Sequence, residues 1–152
     1  MSARAAVHME LGKALEKAQL LETAMGNALL AFDALETGSF LKPDADAYLR
    51  LRDAIDHQTL GRSLKKMQRW LNVPEDPESF FSRALEARNF LVHHLIRHYG
   101  VDLLNQSKHP EIVAHITRLE RDMDTAYAIA ERVTTLLMAA IEDLRRKRGI
   151  DA

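Results

Sequence analysis

The sequence predicts an all-α protein, an antiparallel four- to five-helix bundle whose first and last helices are long. The 152 residues include only six glycines and four prolines, so the chain offers few points at which a helix must stop. Apolar residues recur at spacings of three and four over two long stretches, which is the period of an amphipathic helix. No segment of useful length alternates between apolar and polar residues, as a half-buried strand would.

The first long helix is predicted from one continuous seam of apolar residues. Its members are Val7, Leu11, Ala14, Ala18, Leu21, Met25, Ala28, Phe32 and Leu35. Alternating spacings of four and three keep these positions on one side of a helix about 45–50 Å long. We expect this helix to end at the turn residues that begin with Gly38.

The last long helix is predicted from a second seam of the same kind. Its members are Ile112, Ile116, Leu119, Met123, Ala126, Ala130, Val133, Leu137, Ala140 and Leu144. Pro110 suits a position near the start, where a helix does not need the N–H that proline lacks. Two long helices with such seams are expected to pack lengthwise.

Two shorter helical segments are predicted in the middle of the chain. Asp44–Leu71 can be capped by Asp44 or by Asp46, and Gly61 allows a bend inside it. The second segment, Glu78–Tyr99, follows Pro77 and ends at Gly100. The loops between the four segments are too short to separate domains, so a single domain over 1–152 is predicted.

The composition excludes several classes of protein. Charges nearly cancel, with 21 Lys and Arg against 22 Asp and Glu, so the net charge of −1 carries no global signature of a nucleic-acid binder. The absence of cysteine rules out disulfides, thiolate nucleophiles and Cys-ligated metals. The first residues carry frequent charges and no apolar run of about 18 residues follows, so a soluble, cytoplasmic protein is expected.

One charged residue interrupts the apolar face of the segment Glu78–Tyr99. On a helical wheel the apolar arc contains Phe80, Phe81, Ala84, Leu85, Ala87, Leu91, Val92, Leu95, Ile96 and Tyr99. Arg88 falls in the middle of this arc. A guanidinium keeps its charge when it is buried, so it needs a carboxylate, a ligand phosphate or a wet cleft. An internal Arg–Glu pair remains the structural alternative.

The same segment carries a cluster of histidines. His94 and His98 lie four residues apart and could share a metal on one helical face, but the sequence supplies no obvious third ligand. No metal and no cofactor is therefore predicted. Phe90 falls on the polar side of the wheel, where an exposed aromatic ring indicates a partner surface.

The residues from Arg88 to His93, Arg-Asn-Phe-Leu-Val-His, resemble the R-x4-H signature of the HEPN superfamily, in which a polar residue follows the arginine. HEPN proteins are all-helical, and many are metal-independent ribonucleases. The segments 59–64 and 84–87 are similar to the surroundings of the motif in such proteins. The resemblance implies a homodimer that joins two motifs in one cleft, and a cognate antitoxin of the nucleotidyltransferase type. It also implies a role as the toxin of a toxin–antitoxin or phage-defence system.

Metal-independent RNA cleavage requires an acid, a base and positive donors for the phosphorane, and the motif supplies suitable residues. Arg88 is predicted to contact the phosphate, His93 to act as acid or base, and Asn89 to orient the imidazole or bind phosphate. His94 also satisfies the looser spacing of the family, so the choice between the two histidines stays open. Residues five apart diverge by about 140° on an α-helix, which is a second reason to expect a dimer.

A basic stripe is predicted on the helix around residue 65. Arg62, Lys65, Lys66 and Arg69 share a face opposite Leu60, Leu64, Met67 and Leu71. Such a stripe can track an RNA backbone, although solvated basic residues on an outer helical face are the simpler interpretation. The competing function is a non-catalytic HEPN-like module that binds partner helices through Trp70, Phe90 and the apolar seams.

Overall fold

The computed structural model describes residues 3–42, 44–74, 76 and 79–150, and the regular elements in these ranges are all helical. The α-helices are α1 (Ala3–Thr37), α2 (Ala45–Asp56), α3 (Leu60–Trp70), α4 (Phe80–Asn89), α5 (Leu95–Tyr99) and α6 (His109–Lys147). The all-α helical bundle with long first and last helices is therefore confirmed. Pro77 and Glu78, which were expected at the start of a helical segment, lie outside the described residues, as does Pro43.

The chain forms two compact units. The first consists of Met1–Leu21 and Pro74–Ala126, and the second of Glu22–Val73 and Tyr127–Ala152. The single domain expected over 1–152 stays a prediction. Among the helices of the described ranges, none is both long and apolar enough to cross a membrane.

The first unit has a core of apolar side chains from the start of α1, from α4 and α5, and from the start of α6. Its largest fully buried members are Phe81, Leu21, Leu95, Ile112, Ile116, Met123 and Val7. Two surface ion pairs join the same helices, Lys17 Nζ to Asp124 Oδ1 at 2.6 Å and Arg83 Nε to Asp122 Oδ1 at 3.6 Å. Exposed ion pairs of this kind add at most about 1 kcal/mol, so burial of the apolar seams holds the unit together.

The second unit packs the rest of α1 against α2 and α3. Ile55 of α2 lies against Gly26, where an added Cβ would meet Ile55 Cγ2 at 3.4 Å. Phe32 of α1 stacks on Trp70 of α3 with ring centroids 3.6 Å apart. Trp70 is thus half-buried inside this unit, with one face of its indole covered by Phe32, and the partner surface expected at Trp70 stays a prediction.

The helix ends follow local capping chemistry. Asp44, not Asp46, caps α2, since its Oδ1 accepts a hydrogen bond from the Ala47 N–H at 3.0 Å. The segment expected as one helix from Asp44 to Leu71 is two helices, because the Thr59 hydroxyl caps a new helix by accepting from the Arg62 N–H. Gly61 therefore lies inside the first turn of α3 and does not mark the bend.

Near the C-terminal end of α6, the buried positions no longer follow the predicted apolar seam. Ile112, Ile116, Met123 and Ala130 are fully buried as expected, but Ala140 is exposed and Ile141 takes the buried position. An α-helix with about 3.6 residues per turn rotates roughly 20° per heptad away from a strict seven-residue repeat. Over several heptads this rotation moves the buried position by one residue.

Candidate active site at a π turn

A single π-helical turn, Phe90–His94, joins α4 to α5. The Leu95 N–H donates to the carbonyl oxygen of Phe90, five residues earlier, in place of the usual partner four residues earlier. Such turns are rare and are frequently found at functional sites. The turn changes which side chains share a face, and the predicted site residues lie in it or directly before it.

The π turn changes the buried face expected for this segment. The buried residues of this segment are Phe81, Ala84, Ala87, Leu91, Leu95 and Tyr99. Val92 and Ile96, expected on the apolar face, are 44% and 62% exposed. The buried face is thus narrower than the wheel indicated, because a uniform step of about 100° per residue does not hold across the turn. Arg88, expected in the middle of this face, is half-buried.

Arg88, Asn89 and His93 form one contact group. Arg88 Nη1 donates to Asn89 Oδ1 at 3.3 Å and lies 3.4 Å from His93 Nε2. A guanidinium can only donate, so Nε2 accepts, which requires a neutral imidazole with its proton on Nδ1. The expectation that Arg88 and His93 cannot converge from one helix is wrong, since the π turn brings residues five apart to the same side. The geometric reason for a shared cleft between two chains is thereby removed.

His94 points to a different feature from His93. It lines an open surface pocket of about 440 Å³ together with Ser82, Leu85, Glu86, Asn89 and Phe90. Asn89 therefore belongs both to this pocket and to the contact group with Arg88. Of the two histidines that the motif left open, His93 is the one hydrogen-bonded to Arg88.

Phe90 connects the pocket to an aromatic and histidine cluster that the sequence did not reveal. Its ring centroid lies 5.5 Å from that of His98 and 4.9 Å from that of His115. The prediction of an exposed Phe90 is wrong, since the ring is half-buried against these two imidazoles. Tyr99 stands next to His98 and also faces His115.

Tyr99 and His115 form a short hydrogen bond inside this cluster. The distance from Tyr99 Oη to His115 Nδ1 is 2.6 Å. Burial raises the pKa of Tyr99, with the Glu111 carboxylate adding to the effect. Burial also lowers the pKa of His115, with the Arg118 and His98 charges acting in the same direction. Both shifts favour a neutral pair in which the phenol O–H donates to the imidazole.

The basic stripe lies in the second unit. Arg62, Lys65, Lys66 and Arg69 are all exposed on α3, whereas Leu60, Leu64 and Met67 are buried. Leu71 was expected on the buried face but is 38% exposed, because it follows the last residue of α3. Arg88, Asn89, His93 and His94 all lie in the first unit.

Within the part of the chain that the structure describes, no three His, Asp or Glu side chains are grouped so that they could hold a metal ion. No protein-family model, no curated protein and no solved structure matches this chain.

Proposed function

We propose that this protein is a metal-independent endoribonuclease of the HEPN type. The observation that supports the proposal is the 3.4 Å separation of Arg88 Nη1 and His93 Nε2. It combines a permanent cation, which suits a phosphate, with an imidazole that can accept and release a proton. The His93 side chain is exposed, so an RNA strand can reach it.

The proposed reaction is an internal transesterification of RNA. The 2′-OH loses its proton to a base, its oxygen bonds to the adjacent phosphorus, and the bond from phosphorus to the 5′-oxygen breaks. The leaving 5′-oxygen takes a proton from an acid, so the products are a 2′,3′-cyclic phosphate and a 5′-hydroxyl. Histidine can serve as the base or the acid, and a guanidinium stabilises the charge on the phosphorane oxygens.

In this proposal each residue of the contact group has its own part. Asn89 accepts from Arg88, so its amide orients the guanidinium. When Arg88 turns toward a phosphate, His93 Nε2 loses its donor and is left as the proton acceptor. The exposed stripe Arg62, Lys65, Lys66 and Arg69 belongs to the proposal as a surface for the RNA backbone. A cytoplasmic location, a homodimer, and an antitoxin of the nucleotidyltransferase type complete it.

Incubation of the purified chain with total RNA in EDTA tests this function. We expect the wild type to cleave, and Arg88→Ala and His93→Ala to lose cleavage by orders of magnitude. His94→Ala should retain activity if His93 alone is the acid–base residue. Arg97→Ala and His8→Ala are matched controls, because both side chains are exposed and lie outside the contact group. If the wild type cleaves RNA under none of the conditions, the result would instead favour a non-catalytic binding module.

A further inference from the structure

The pocket beside the contact group has the size and lining of a site for a small planar group. Its volume of about 440 Å³ lies within the range of roughly 300–1,000 Å³ common for small-molecule sites. Leu85 and Phe90 provide apolar surface, and Ser82, Glu86 and Asn89 provide hydrogen-bonding groups. A planar base that stacks on an aromatic ring and offers polar edges matches this combination.

Phe90 is held in place before any ligand arrives. His98 and His115 contact its ring, with centroid distances of 5.5 and 4.9 Å. A ring fixed by neighbours loses little conformational freedom on binding, which favours its use as a stacking surface. Stacking on an aromatic side chain is the usual way in which proteins hold an unpaired base.

The Glu86 carboxylate decides what kind of base edge the pocket prefers. Within the described residues it makes no hydrogen bond and no ion pair, and an ionised carboxylate can only accept. It repels a phosphate, so it does not serve the RNA backbone. A lysine or arginine of a partner protein would pair with Glu86, but it would also bring a positive charge toward the positively charged Arg88. A nucleotide instead brings its negatively charged phosphate toward Arg88.

Guanine is the base whose edge fits an accepting carboxylate best. Its Watson–Crick edge carries two adjacent donors, N1–H and N2–H, whereas adenine, cytosine and uracil each place an acceptor beside a single donor. The Asn89 amide oxygen already accepts from Arg88, which leaves its NH2 group as a donor for guanine O6. The Watson–Crick edge is accessible only in unpaired RNA.

We propose that this pocket binds a guanine base of single-stranded RNA, with Glu86 accepting from N1–H and N2–H and Phe90 stacking on the ring. The assignment rests on the proposed ribonuclease function and names the base that the enzyme selects. Asn89 belongs both to the pocket and to the contact group with Arg88. The phosphate next to the bound guanine therefore reaches Arg88.

Binding of uncleavable RNA tests the pocket without any need for activity. The probes are four 2′-O-methylated pentanucleotides with uridine flanks and a central G, A, C or U, titrated calorimetrically into the full chain. We expect the G probe to bind about tenfold more tightly than the others, and Glu86→Gln to remove this preference. Glu131→Gln is a matched control, since Glu131 is exposed on α6 and does not line the pocket.

Cleavage of the corresponding unmodified RNAs separates the two proposals. If the wild type cleaves nothing but binds the G probe selectively through Glu86, the ribonuclease proposal fails and the guanine pocket stands. If wild type and Glu86→Gln both cleave all four RNAs at equal rates, the pocket assignment is overturned and the ribonuclease stands. Glu86→Ala is the second variant, with far-UV circular dichroism as the check that both variants fold.

Discussion

Arg88 is the residue at which stability and chemistry can be separated. It is half-buried, and its guanidinium contacts Asn89 and His93 beside an exposed surface. If it serves phosphate binding, Arg88→Ala and Arg88→Leu should change the free energy of unfolding by no more than about 1 kcal/mol while cleavage falls by orders of magnitude.

Urea melts of both variants beside a cleavage assay measure the two effects. A buried ion pair would behave differently, since Arg88→Ala would then leave an unpaired carboxylate and cost about 3–5 kcal/mol. Such a loss, with cleavage intact in the folded fraction, would remove Arg88 from the proposed mechanism.

The burial of His115 makes stability depend on pH. The pKa of His115 is lowered from 6.5 in the folded chain, so the unfolded chain binds a proton more readily. The stability is present above about pH 6.5 and is lost as the pH falls through the lowered folded pKa. We expect the urea midpoint to fall between about pH 7 and 5, and to fall less in His115→Gln. Equal slopes in the two proteins would show that His115 is not responsible.

Among the elements, α2 owes its start to a single side chain. Asp44→Ala should cost about 1 kcal/mol of stability, because the Ala47 N–H loses the acceptor that it now has at 3.0 Å. Asp44→Asn is the control, since an asparagine at this position caps equally well. Chemical denaturation of the wild type and the two variants measures the difference in stability. Equal losses of stability in Asp44→Ala and Asp44→Asn would show that the charge of Asp44, and not its capping hydrogen bond, is responsible.

The π turn is the element that defines the candidate site. It lets Arg88 and His93 meet within one chain, and it leaves Phe90 against the histidine cluster. The proposed chemistry therefore needs no residue from a second chain.

At the scale of the whole molecule, this geometry predicts the result of a mixing experiment. Arg88→Ala and His93→Ala chains, unfolded together and refolded, should regain no cleavage, because no chain in the mixture carries both residues. A cleft built from Arg88 of one chain and His93 of another would instead restore one complete site per mixed dimer. Sedimentation equilibrium establishes whether mixed dimers form, since a dimer would have twice the 17.2 kDa mass of the chain. Recovery of cleavage would disprove the intrachain site.

The sequence by itself determined the helical class, the two long helices and most of their buried positions. These features depend on short-range periodicity, so Val7, Leu21 and Ile116 could be assigned to the core without any knowledge of what covers them. The motif residues Arg88, Asn89 and His93 were singled out by the interrupted apolar face and by a resemblance to a family motif, and their roles stay predictions.

Only the tertiary structure decided how these residues meet. A helical wheel assumes one uniform step per residue, so it placed Arg88 in the core and turned His93 away from it, whereas the π turn joins them. The hydrogen bond between Tyr99 and His115 links residues that no sequence period connects, because packing of separate helices brings them together. Sequence periodicity describes one helix at a time. A functional site depends on where the helical geometry changes and on which other helices the residues contact.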